Sequence, residues 1–308
     1  MSTSVFRYLL IFCCLLIVSY PVWFMDTKGK SKGYDLSTIT DLAAGNSHSR
    51  SLIFSEMGLT GLNAYVGNAS PETTFLTVFR YIHDLENLER IWVPLHPSFF
   101  YTNDLRSSLG VGMIGVLPDR WVVNLLDFEI PYKDNLKYWN FAKEWLKRQL
   151  LDGYYTGSER PENIITIEGA AHSCARVTPK DIQDLANRTV NENIEKSSLN
   201  DKKGIFFVRA LLDLAERFNV DVIFYRPPYT SAYFNHPAFN LYKKQTELEL
   251  QKMLQQWDNI YFIDGKNFFG EDDSQLFMDD DHLNCFGAKK FSPMIYKELL
   301  TLKAQAVD

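Results

Sequence analysis

The 308-residue sequence contains no run of Lys and Arg long enough to track a phosphate backbone, and its formal net charge is -6. No nucleic-acid partner is therefore expected. Internal repeats and low-complexity tracts are also missing. Cysteine is scarce, with four in the chain. Cys13 and Cys14 lack the preceding small residues of a lipoprotein site. Cys174 and Cys285 either form one disulfide in an oxidising compartment or stay as two buried thiols. What is plentiful is core-forming material: 46% of residues are hydrophobic, 14% aromatic and 23% charged, the balance of a packed protein rather than a disordered one. The length suits one α/β domain of about 250 residues with a small appendage.

Charge is wholly absent from Tyr8 to Met25, a stretch bounded by Arg7 and Asp26. Its roughly 18 residues, rising ~1.5 Å each, match a hydrocarbon core of ~30 Å, so residues 1–25 read as a transmembrane anchor. A cleaved signal peptide is the competing reading, but Pro21, Trp23 and Phe24 occupy the place of a small-residue cleavage site. Lys28, Lys30 and Lys32 outnumber Arg7, which taken alone would put the following domain inside the cell. A single N-terminal span before a large domain is the usual tether of an exported enzyme, and export is the expectation despite that conflict. Residues 26–34 are polar and glycine-containing and read as a linker.

From residue 35 to 308, short apolar runs alternate with amphipathic stretches, the pattern of a parallel sheet covered by helices. Strands are expected at about 39–44, 62–66, 90–95, 220–226 and 260–264. Helices are expected at about 49–57, 71–89, 204–218, 237–256 and 286–302. Residues 99–200 break this rhythm and read as a large insertion carrying helices at about 134–151 and 179–195. Such an insertion builds either a substrate pocket or a plain scaffold extension. Asn68-Ala69-Ser70 and Asn187-Arg188-Thr189 match the short glycosylation sequon.

Gly45-Asn46-Ser47-His48-Ser49 follows the first expected strand and puts Ser47 at the carboxyl edge of the sheet, where open α/β sheets bind ligands. A serine there has an exposed hydroxyl, and the first N–H groups of a following helix can face a developing oxyanion. A simple helix cap is the plainer reading. The far end of the chain shifts the balance towards chemistry. In Asp279-Asp280-Asp281-His282, a neutral histidine can take the serine proton, and Asp279, three residues earlier, can orient the ring. A solvated acidic loop or a structural histidine would explain the same residues, and the spacing is not that of an EF-hand. Neither metal nor organic cofactor is needed for this chemistry. His48, beside Ser47 on a turn, is expected to face solvent or the pocket rather than to act as base. His172-Ser173-Cys174 has no accompanying base block, and Trp121, Trp139 and Trp145 suit a core as well as a sugar site.

These motifs, in this order, resemble the SGNH/GDSL hydrolase superfamily over most of residues 35–308. Gly45-Asn46-Ser47 stands where that family has Gly-Asp-Ser, and Leu62-Asn63-Ala64-Tyr65-Val66-Gly67-Asn68 resembles its second block. Asp279 and His282 match its terminal pair. The resemblance implies a three-layer α/β/α, flavodoxin-like parallel sheet, Ser47 as nucleophile, and an oxyanion hole from the Ser47 and Gly67 N–H groups. The family's third block, Gly-x-Asn-Asp, is missing, because Leu95-His96-Pro97-Ser98 stands after the third strand and the downstream Asn103-Asp104 lacks the glycine. Loss of one oxyanion donor costs about 10²–10³ in rate. His96, Asn68 or a partner protein is left to replace it.

An N-terminal anchor, a GNSHS block, no third block and a terminal DxxH together look like the exported SGNH-like proteins of cell-surface acylation. These include alginate O-acetylation proteins and the D-alanyl-lipoteichoic-acid biosynthesis protein that works beside membrane-bound O-acyltransferases. Arg226-Pro227-Pro228-Tyr229 resembles the proline-containing strand end of such proteins. The likeness implies transfer of an acetyl or similar acyl group from a donor to a surface polysaccharide or glycan, in the bacterial inner membrane with the domain periplasmic or extracellular. Two other readings stay open: a carbohydrate or lipid esterase using the same residues, and a catalytically silent protein that binds glycan or an acyltransferase.

Overall fold

The computed structural model describes residues 36–65, 69–101, 174–195, 197–269 and 274–305. The expected anchor and linker, the helix at 134–151, Gly67, Asn68, Asn103-Asp104, His172-Ser173 and the three tryptophans lie outside these residues. Among the described residues no helix is long and apolar enough to cross a membrane.

All five expected strands are present, as β1 (Asp41–Gly45), β2 (Gly61–Tyr65), β3 (Arg90–Pro94), β4 (Asp221–Arg226) and β5 (Ile260–Asp264). They form one parallel sheet in the order β2-β1-β3-β4-β5. Parallel strands are buried on both faces, which is why they read as apolar runs. Alternate side chains feed two separate cores. Leu42, Ala44, Ile91, Val93, Val222 and Phe224 face one side, where helices α1 (Pro71–Ile82), α3 (Lys203–Arg217) and α5 (Asn240–Gln256) pack. Ala43, Trp92, Ile223 and Tyr225 face the other, against Phe291, Ile295 and Leu299 of α6 (Cys285–Gln305). Helices thus cover both faces of the sheet. Helix α2 (Pro179–Glu195) and the single turn α4 (Ser231–Phe234) build a third small cluster from Ala186, Val190, Tyr229, Tyr233 and Phe239.

Two expected helices differ. The stretch at 49–57 is not an α-helix but two 3-10 turns, Ser47–Ser51 and Phe54–Met57, separated by extended backbone at Leu52 and Ile53. Side chains remote in sequence capture its backbone groups: Asn63 Nδ2 donates to Ser49 O at 2.7 Å, and Ser292 Oγ donates to Ser51 O at 3.1 Å and accepts from Ile53 N–H at 2.9 Å. Helix α1 stops at Ile82 rather than near residue 89, because Glu89 N–H must donate to Thr40 O at 2.8 Å to start β3 beside β1. In the insertion, α2 spans the expected 179–195. Cys174 and Cys285 form a disulfide, which ties the residues just before α2 to the start of α6.

Candidate functional site

Successive connections leave this strand order in opposite directions at β1 and β3, and open sheets bind ligands in the crevice at that point. Ser47 lies there. Gly45 makes the turn possible: its φ is +145°, and a Cβ would lie 2.7 Å from Pro94 Cδ. Only glycine is at ease in that conformation. Asn46 then caps the Ser47–Ser51 turn, its Oδ1 accepting from His48 N–H at 3.1 Å and its carbonyl from Ser49 N–H at 3.0 Å. Of the first three N–H groups of the turn, those of His48 and Ser49 are therefore taken. Ser47 N–H is the turn's candidate oxyanion donor.

His282 reaches Ser47 from the other end of the chain, its Nε2 lying 2.6 Å from Ser47 Oγ across a sequence separation of 235. The loop that carries it is held tightly. An antiparallel bridge pairs Phe277 with Leu283, and Met278 N–H donates to His282 O at 2.9 Å. Thr230, after β4, donates from Oγ1 to Asp280 O at 2.7 Å. Asn284 Oδ1 accepts from the N–H groups of Phe286 and Gly287, both at 3.0 Å, and so caps α6. A Cβ on Gly287 would meet Leu276 O at 2.2 Å, so the loop and helix lie as close as glycine permits.

The expected partner Asp279 is in place. His282 Nδ1 donates to both of its carboxylate oxygens at 3.1 Å, and Asp279 Oδ1 also accepts from the N–H groups of His282 at 2.7 Å and Asp281 at 3.1 Å. Burial would raise the Asp279 pKa, but the hydrogen bond and charge of His282 bring it down to about 2. A second carboxylate was not anticipated: Asp281 Oδ1 lies 2.8 Å from the same His282 nitrogen. Burial by itself would favour a neutral His282, yet the charge of Asp281 and the hydrogen bonds to Asp279 and Asp281 hold its pKa well above 6.5. Asp280 is pushed up to about 7 by burial and by the charge of Asp281.

His48 does not face solvent. It is buried, stacks on His282 with ring centroids 4.6 Å apart, and places Nε2 3.5 Å from Asp281 Oδ2. Tyr225 Oη donates to its carbonyl at 3.3 Å. His96 continues the stack, 6.2 Å from the His48 ring. Its ring nitrogens are engaged with neighbours, Nδ1 with Ser98 at 3.1 Å and Nε2 with Tyr233 Oη, while burial and the charge of His282 lower its pKa to about 3. An oxyanion role for His96 would require one of these contacts to break. Gly67 and Asn68, the other expected donors, lie outside the described residues.

The arrangement can move a proton from Ser47 Oγ to a ring whose opposite nitrogen is fixed by carboxylate. The missed residues, Asp281 and His48, had one signal in the sequence: three consecutive acids beside a histidine crowd more negative charge than a single ring can answer. No protein-family model and no curated protein matches this chain.

Proposed function

We propose that this chain is a serine-dependent acyl-transfer enzyme of SGNH type, tethered to the bacterial inner membrane by residues 8–25 and acting outside the cytoplasm on a surface polysaccharide or glycan. The observation that carries the reading is the contact of Ser47 Oγ with His282 Nε2 at 2.6 Å, with Asp279 on His282 Nδ1. Nucleophile, base and orienting carboxylate stand in the order that acyl chemistry uses.

His282 Nε2 takes the Ser47 hydroxyl proton as Oγ bonds to the acyl carbonyl carbon. The oxyanion that forms is met by Ser47 N–H and, on the family resemblance, by Gly67 N–H. Collapse breaks the bond to the donor's alcohol oxygen, which leaves with the proton from His282. An acceptor hydroxyl then yields its proton to His282 and attacks the acyl-enzyme, restoring Ser47. Water in place of the acceptor would make the same residues an esterase. The raised His282 pKa makes the rate rise with pH, since only the deprotonated ring accepts the serine proton. The Cys174–Cys285 disulfide supports an outward-facing domain, because such bonds persist outside the cytoplasm.

Labelling of the full chain with a fluorophosphonate probe tests the nucleophile. Wild type should label at Ser47, and Ser47→Ala and His282→Ala should not. Equal labelling of all three would overturn Ser47 as the nucleophile, and no labelling of wild type would favour a silent binding protein. Acyl donor with and without a glycan acceptor separates transfer from hydrolysis, and a reporter fused after Asp308 tests orientation.

A further inference from the structure

His282 faces more negative charge than one ring N–H can satisfy. Asp279 is compensated within its own turn, where it accepts two backbone N–H groups besides the imidazole. Asp281 is buried and is met by imidazole nitrogens: His282 Nδ1 at 2.8 Å on one oxygen and His48 Nε2 at 3.5 Å on the other. The two rings are nearly parallel, 18° apart, with centroids separated by 4.6 Å. His48 is itself held at both ends of its peptide unit, its N–H on Asn46 Oδ1 at 3.1 Å and its carbonyl under Tyr225 Oη at 3.3 Å. The residue next to the nucleophile thus reaches, through one carboxylate, the far nitrogen of the base.

We propose that Asp281 and His48 are a positioning pair for this site: Asp281 is a second carboxylate on His282, and His48 holds that carboxylate and shares its charge. The catalytic consequence rests on the acyl chemistry proposed above. Rings this close repel when both are protonated, so the pair favours one positive charge, and the carboxylate beside both rings directs it. Of the other groups facing His282 and His48, Asp279 also draws the charge to His282 and not to His48, since it lies on His282 Nδ1 at 3.1 Å, while Asp280 accepts from Thr189 Oγ1 at 3.2 Å. His96, from the end of β3, stays neutral because burial and the charge of His282 lower its pKa to about 3. Tyr229, edge-on to His48 at 5.3 Å, keeps its proton because burial raises its pKa. His48, Asp281 and His282 also bring ligand-type atoms within 4.8 Å of one another. Stacked rings, however, send their in-plane lone pairs along parallel directions, whereas a cation needs them to converge. Proton positioning fits this geometry and metal binding does not.

The test is an NMR titration of the full chain in detergent with ring-15N histidine, the His282 signals being identified by their loss in His282→Gln. Asp281→Asn should lower the His282 midpoint by about 1–3 pH units, the effect of removing an adjacent opposite charge. His48→Phe keeps a stacked ring but removes the nitrogen on Asp281. The buried carboxylate then takes a proton more readily, so the midpoint should fall in the same direction by less. An unmoved midpoint in either variant overturns the pair. If Asp281→Asn does not fold, Asp281→Glu, which keeps the charge and should restore the wild-type midpoint, and His48→Gln, which should lower it, decide the matter. Fluorophosphonate labelling distinguishes the two failures: unlabelled wild type with shifted titrations sinks the acyl chemistry alone, and labelled Ser47 with unmoved titrations sinks the pair alone.

Discussion

The two ends of β1 both involve buried carboxylates and treat them in opposite ways. At the amino end Asp41 accepts from Arg90 Nε at 2.6 Å, Arg90 Nη2 at 2.8 Å, Trp92 Nε1 at 2.8 Å and Thr40 Oγ1 at 2.7 Å. Every one of these donors keeps its proton near neutral pH. Past the carboxyl end, Asp279 and Asp281 meet the imidazole of His282, and Asp281 also approaches that of His48. Those partners exchange protons in the accessible range. A carboxylate satisfied by permanent donors holds the sheet together, while carboxylates crowded around imidazoles hold a proton that can be moved.

Four substitutions and the pH dependence of stability can break or sharpen this contrast. If Ser47 is the proposed nucleophile, Ser47→Ala should have the largest effect, a loss on the order of 10⁶-fold in kcat. Its thermal midpoint should stay close to wild type, because the half-buried hydroxyl contributes to the site rather than to the core. A large fall in stability would show that the two ends are not separable. Asp41→Ala should act in reverse. It leaves Arg90 without its buried partner and costs about 3–5 kcal/mol in a denaturant titration, yet the surviving folded protein should label at Ser47 with an unchanged pH midpoint.

Cys174→Ser comes next, removing a cross-link between residues 111 apart in sequence. A loss of about 2–4 kcal/mol is expected in urea. Because Cys285 starts α6 just after His282, the labelling rate should fall as well, which Asp41→Ala should not cause. The smallest effect is the pH dependence of stability. The pKa of His282 is raised above 6.5, so its contribution is fully present below that pH and lost as pH rises through the folded value. Asp279 is depressed from 3.8 to about 2, so its contribution is present above 3.8 and lost as pH falls towards 2. Stability should therefore decline at both ends of the range. Asp279→Asn should flatten the acid limb, as urea midpoints measured across pH would show.

The strands were legible because a central parallel strand must be apolar on both faces, and runs such as Val222-Ile223-Phe224-Tyr225 satisfy no other element so well. Asp279 was legible too, since a carboxylate three residues before a histidine can reach it within one turn. Asp281 was not. Adjacent side chains normally point apart, and only the loop pinched between Phe277 and Leu283 brings this pair onto one nitrogen. The stretch at 49–57 reads as an α-helix from periodicity but is not one, because its carbonyls are taken by Asn63 and Ser292, residues that local periodicity does not see. Of the two places expected for His48, solvent or the pocket, the structure gives the site beside His282, because Tyr229 and His96, from the loops after β4 and β3, close over it.

The sequence by itself determined five buried strands, a serine just beyond the first of them and an Asp-His pair before the last helix. Each depends on interactions between residues near one another in the chain. Tertiary structure alone decided that Ser47 and His282 meet across 235 residues, that Cys174 and Cys285 pair, and that a second carboxylate and a second histidine join His282. The reason is that these distances depend on how α6 packs against the Ser47–Ser51 turn and on how the loops after β3 and β4 close, and no local pattern encodes either.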